Sequence, residues 1–189
     1  MPLEPQTVPR ADAQRNRDRI LAEAAALMAD EGTQASLRDV ARRAGVGLGT
    51  LYRHFPTRED LLAALLGRRF ELLTARADTL AAAEPAGPAL TTWLHEFLDA
   101  AAYRGLPATL MATLQDPESA LHASCLRMRQ AGGRLLAAAQ QEGLIRPDVT
   151  ALDVFVLVNA LSWTADQGPT LAERRDHLFG LVLDGLRPR

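Results

Sequence analysis

The sequence predicts an all-α protein, and three observations carry that prediction. Alanine and leucine dominate a 189-residue chain that is 48% hydrophobic and only 5% aromatic. β-Branched residues form no run outside 154–158, so the side chains that suit a pleated sheet are missing. No hairpin signal and no internal repeat appears, while glycine and proline punctuate the chain at helix-length intervals. The length suffices for one large domain or two small ones with a real core. A charged content of 23% is that of a soluble globular protein rather than a disordered one.

Residues 1–14 hold three prolines and little apolar character, which predicts a disordered arm. Arg10, Arg15, Arg17 and Arg19 in and after it could reach a minor groove, but Glu4, Asp12 and Asp18 dilute the charge, and a solvated tail is an equal alternative. The first helix is expected over about 15–30, because Ile20, Ala24, Leu27 and Met28 fall on one apolar stripe. Gly32 ends it as a C-cap. Ser36 is the expected N-cap of the second helix, with Asp39 at the third position completing a capping-box-like pair. Gly45 breaks that helix, Val46 plugs the turn, and a third helix of two turns covers about 47–54. Thr57 caps the fourth, with Glu59 and Asp60 in a first turn that favours acids. Its leucines run to about residue 83. After the break at 84–88, helices are expected at about 88–104, 106–115, 117–142, 149–167 and 170–186. The expected domains are therefore the arm at 1–14, a helix-turn-helix at 15–56 and a helical body at 57–189.

Charge singles out 36–58, SLRDVARRAGVGLGTLYRHFPTR. It carries five arginines against one aspartate in a chain whose formal charge is −2, so the rest of the chain is acidic. A compact basic helix-turn-helix on an acidic helical body points to double-stranded DNA as partner. The second helix of such a motif enters the major groove and meets base edges with its first residues. Here those are Gly47, Leu48, Gly49, Thr50 and Arg53. The glycines permit close approach of backbone to the DNA, Thr50 can meet a base or a thymine methyl, and Arg53 can reach guanine or phosphate. Tyr52 and His54 suit phosphate oxygens; packing is the alternative for both. Arg58 joins its charge to the free N–H groups opening the fourth helix, a phosphate site. Ser36 and Arg38 are placed for the opposite strand.

Over about 19–65 the sequence also resembles the DNA-binding head of the tetracycline-repressor (TetR/AcrR) family of bacterial transcriptional regulators. The marks are Ala41, Ala44-Gly45-Val46, Gly49-Thr50-Leu51-Tyr52, His54-Phe55 and Thr57-Arg58-Glu59. The resemblance implies an all-helical homodimeric repressor whose fourth helix transmits ligand binding to the head. By position it implies DNA contacts at Arg38, Thr50, Tyr52, His54 and Arg58. Family members often carry lysine or serine where this chain has Gly47 and Leu48, so base preference does not carry over.

The body should then dimerise, since two heads must sit about one DNA turn (~34 Å) apart. Leu171, Leu178, Phe179, Val182 and Leu186 form the expected interface stripe; closing the protomer's own core is the alternative. A pocket for a small-molecule effector would draw on the body's scarce large or adaptable residues: Trp93, Phe97, Tyr103, Met111, His122, Cys125, Met128, Phe155, Asn159 and Trp163. Gly132-Gly133 inside a helix suggests a close crossing, a kink or room for a ligand. No cofactor, metal or catalytic residue is expected. The nearest metal motif, His95-Glu96-Phe97-Leu98-Asp99, has Asp in place of the second His. A purely architectural DNA-binding protein would be basic throughout. The single Cys125, the lack of ~18 consecutive apolar residues and an N-terminus with no apolar leader point to the bacterial cytoplasm, with the protein on the nucleoid when bound to an operator.

Overall fold

The computed structural model describes residues 8–100, 108–165 and 168–188, and among these it holds ten α-helices and no strand. They are α1 (Val8–Glu31), α2 (Leu37–Arg43), α3 (Leu48–His54), α4 (Arg58–Ala83), α5 (Ala86–Ala100), α6 (Ala108–Gln115), α7 (Ala120–Gln141), α8 (Ala151–Ala165), α9 (Pro169–Glu173) and α10 (Arg175–Gly185). The chain divides into two compact units, Met1–Leu66 with Gly105–Met111, and Gly67–Arg104 with Ala112–Arg189. The division falls inside α4.

The first correction concerns the arm. α1 starts at Val8, so the second half of the expected disordered segment is helical. Pro9 lies in the first turn, where an N–H would have no intrahelical acceptor anyway. Side-chain pairs one turn apart follow: Arg15 with Asp12, Arg19 with Asn16 at 2.6 Å, and Gln14 with Asp18 at 3.1 Å. Each such pair is worth about 0.2–0.5 kcal/mol. Residues 1–7 lie outside the described residues.

In the first unit, Ile20, Ala24, Leu27 and Met28 are buried as their spacing requires, together with Val40, Ala41, Leu51, Phe55, Leu61, Leu62 and Leu65. The bends between helices are set by local chemistry. Gly32 takes φ 81° and its N–H donates to Met28 O at 3.0 Å, ending α1. Gly45 takes φ 65°, and Val46 N–H reaches back to Ala41 O at 3.0 Å, which turns the chain from α2 toward α3. Both positions need the left-handed conformation that only glycine adopts cheaply. Thr57 and Asp60 form a reciprocal cap on α4, with Asp60 N–H to Thr57 Oγ1 and Thr57 N–H to Asp60 Oδ2, each at 3.0 Å. Ser36 accepts from Asp39 N–H at 3.3 Å, but Asp39 turns to Arg42 at 2.8 Å instead of returning the bond. Arg42, and then Ser36, hold the Asp39 carboxyl below its ordinary range.

In the second unit, α5 packs on α7 and α8, and α8 also meets α9 and α10. The body part of α4 is tied in by polar contacts. Trp93 Nε1–H donates to Leu73 O at 2.8 Å, and Arg76 Nε donates to both Glu96 oxygens at 2.8 and 3.1 Å. Gln140 Nε2 donates to Arg146 O and Val149 O, fixing the loop after α7, and Thr150 with Asp153 caps α8 reciprocally. The single helix expected over 170–186 is two, α9 and α10, meeting at Arg174. Neither glycine nor proline marks that joint.

Candidate functional site

The face expected to read DNA is exposed. Gly47 caps α3 in an extended conformation, φ −70° and ψ 149°. A methyl group placed on Gly47 or on Gly49 would meet nothing within 4 Å. Among the described residues nothing therefore demands glycine at these two positions, unlike Gly45. Thr50 and Leu48 are half-buried, whereas Arg53, Ser36 and Arg38 are exposed. Arg53 Nη2 donates to Thr50 Oγ1 at 3.0 Å, which holds the two side chains together on the outside of the helix. Tyr52 is 45% exposed, so it is not a core residue. His54 is half-buried, its ring 6.4 Å from that of Phe55. Leu51 and Phe55, on the opposite side of α3, are internal.

Arg58, expected as a phosphate anchor, also has an internal role. Its Nη1 donates to Thr33 O at 2.7 Å and to Ala35 O at 2.8 Å. The guanidinium clamps the α1–α2 loop to the start of α4, a role that sequence spacing across about 25 residues did not announce. Three of the expected arm arginines are engaged too. Arg17 lies 4.5 Å over the Phe55 ring, while Arg15 and Arg19 pair along α1.

In the body, four of the ten expected pocket residues come together. Trp93, Phe97, Met128 and Phe155 line a cleft between α5, α7 and α8 with Leu90, Leu94, Leu136, Val154, Gly132 and Arg129. The rings follow one another, Trp93 tilted against Phe97 at 5.5 Å and Phe97 stacked on Phe155 at 5.6 Å. Free space is only about 10 Å³, room for about one water. The α7 glycines explain the close packing. A methyl on Gly132 would fall 2.3 Å from the Trp93 ring, and one on Gly133 would fall 3.3 Å from the Ala151 methyl.

The other expected pocket residues lie elsewhere. Cys125 is buried one turn before Arg129 but does not line the cleft; burial pushes its thiol up, and the Arg129 charge offsets part of that. His122 Nδ1 donates to Leu114 O at 2.8 Å, Asn159 Nδ2 to Phe155 O on its own helix at 2.7 Å, and Trp163 is 67% exposed. Tyr103 and the Met111 side chain lie outside the described residues. Sequence reasoning missed Arg129, one arginine among many with no motif around it. His95, Glu96 and Asp99 turn to three different partners, Phe179, Arg76 and Arg175. Among the described residues no helix is long and apolar enough to cross a membrane.

Two family descriptions match. "Bacterial regulatory proteins, tetR family" covers residues 20–65, and "Transcriptional regulator SbtR-like, C-terminal domain" covers residues 84–188, more than half of the chain. The chain belongs to the TetR family of bacterial transcriptional regulators. Similar solved structures include the TetR regulator SCO0520 of Streptomyces coelicolor, 36% identical with TM-score 0.72 over 91% of this chain and 98% of that one. A TetR transcription regulatory protein of Mycobacterium vanbaalenii is 34% identical, TM-score 0.63, over 95% of this chain and 99% of that one. Among curated relatives, the transcriptional repressor KstR of Mycolicibacterium smegmatis is 41% identical over 39% of this chain and 37% of its own length. The chain thus spans about a third of the length of the curated relatives it matches.

For this TetR-family regulator the expected interface stripe is divided by burial. Phe179 is 1% and Leu186 6% exposed, so both are internal to the protomer; Phe179 sits edge-on against His95 at 4.3 Å. Leu178 and Val182 are half-buried and Leu171 is exposed. Besides Leu171 on α9, the large apolar side chains exposed on these helices are Leu152, Val156, Leu157 and Trp163 on α8 and Leu181 on α10. The correction has a simple cause: α10 turns one apolar side to α8, and a stripe alone does not say which neighbour it faces.

Proposed function

We propose that this regulator is a homodimeric repressor that binds a palindromic operator in double-stranded DNA and is released by a small-molecule effector, acting in the bacterial cytoplasm and on the nucleoid when bound. The carrying observation is the outer face of α3, where two glycines that the fold does not need precede Thr50, Tyr52 and Arg53. The open space beside Gly47 and Gly49 leaves room for a partner to approach the backbone closely, and DNA presenting its major groove is such a partner. That the KstR relatives are named repressors supports repression over activation.

The test is a gel shift with the intergenic palindromes near the gene. Specific, salt-sensitive binding supports the reading, and no binding to any upstream region sinks it. Tyr52→Ala should weaken operator binding at least about tenfold, a loss of ~1.4 kcal/mol, with helicity unchanged. Gly49→Ala should raise folding stability by up to about 1 kcal/mol yet lower operator affinity. Undiminished binding by both variants would refute the docking of α3.

Dimerisation follows from the need to hold two heads ~34 Å apart, and the exposed α8–α10 side chains supply the surface. Val156→Glu places a charge in the middle of it and should yield monomers in sedimentation; a dimer persisting at micromolar concentration counts against this interface. An effector that prefers one body conformation lowers operator affinity by the factor by which DNA lowers effector affinity, commonly ~1–3 kcal/mol.

A further inference from the structure

We infer that the α5–α7–α8 cleft takes an apolar monocarboxylate, with the Arg129 guanidinium as the partner of its anion. The inference rests on the effector reading above and names the chemistry of the effector.

Among the described residues, Arg129 is the one charged residue lining the cleft. Its guanidinium carbon lies 5.4 Å over the Phe155 ring, and its Nε is buried with no hydrogen-bond acceptor. Among the described residues it forms no ion pair, although arginines 76, 134, 146 and 175 of the same unit each hold a carboxylate. A buried N–H of a cation left without an acceptor costs more than a neutral one. The body therefore carries an unmet demand for a negative acceptor, next to aromatic rings that suit an apolar tail. A carboxylate meets both conditions, because its charge-assisted bonds to a guanidinium are about twice as strong as neutral ones. A phosphate-bearing ligand would match the charge, but the rest of the lining offers it only apolar groups.

With about 10 Å³ free, the ligand must displace a side chain. The Trp93 ring is the candidate, since it rests on the bare backbone of Gly132. Its movement vacates a flat slot and breaks the bond from Trp93 Nε1 to Leu73 O on α4.

The test uses the full chain with four probes, 2-naphthoate and decanoate and their neutral amides, titrated by tryptophan fluorescence. Wild type should bind at least one carboxylate at least tenfold more tightly than its amide. Arg129→Gln should abolish that preference. Arg129→Leu should lose carboxylate binding without a fall in melting temperature, because it strands no carboxylate and leaves an apolar side chain against the Phe155 ring. Equal affinity for acid and amide, a preference that survives Arg129→Gln, or binding by none of the four overturns the inference. Operator binding, measured in parallel, keeps the two claims apart. Carboxylate binding that leaves operator affinity unchanged sustains the site and defeats release by effector. Release by an amide bound as tightly as its acid sustains effector release and defeats the role of Arg129.

Discussion

Gly132→Ala is expected to destabilise the body by about 1–3 kcal/mol, the usual cost of forcing a methyl into a filled core. The added carbon would lie 2.3, 2.5 and 3.0 Å from three atoms of the Trp93 six-membered ring. Turning that ring away would break its Nε1–H bond to Leu73 O at 2.8 Å and its tilted contact with Phe97 at 5.5 Å. For a chain of this size each kcal/mol lowers the melting temperature by roughly 2–4 °C, so the shift is measurable by circular dichroism. Trp93→Phe removes the atoms that clash, and the double variant should lose less than the two single losses added together. A melting temperature for Gly132→Ala equal to wild type would show that α5 and α7 are not packed as closely as described.

Arg58→Ala is expected to cost about 2–3 kcal/mol of head stability, since it strands two loop carbonyls that now share one guanidinium nitrogen. Thr33 and Ala35 are themselves 1% and 3% exposed, so water does not readily replace the lost donor. Hydrogen exchange should quicken in the α1–α2 loop and at the start of α4. Operator affinity should fall with it, and recover on cooling or in stabilising osmolyte, which a lost phosphate contact would not do. Tyr52→Ala provides the contrast, a loss of binding with an undisturbed head. If exchange in the loop is unchanged in Arg58→Ala, the clamp contributes little and the phosphate role stands alone.

The head was largely legible because its signals are local. Gly32, Ser36, Gly45 and Thr57 act through partners at most five residues away, so spacing alone identifies them. What was not legible depends on partners far along the chain. Arg58 finds its carbonyls 23 and 25 residues back, and Arg17 finds Phe55, a ring in another helix. Residues 8–14 looked like an arm because prolines and charges were read by composition, while the pairs Arg15–Asp12 and Gln14–Asp18 act by helical spacing. In the body, size singled out Trp93, Phe97, Met128 and Phe155, which line the cleft, and equally Trp163, which is mostly exposed, because size says nothing about which side of α8 faces in. The same limit placed Phe179 and Leu186 on a surface when they belong to the interior.

The two tryptophans sit in opposite settings, Trp93 internal with its indole N–H bonded and Trp163 mostly in solvent. The protein therefore contains two optical reporters with separable emission, one blue-shifted and shielded from iodide, the other red-shifted and quenchable. The first reports on the space between α5 and α7, and the second on the outer side of α8. A single unlabelled sample can thus follow occupancy of the cleft and association of protomers at once, with each colour assigned to one event.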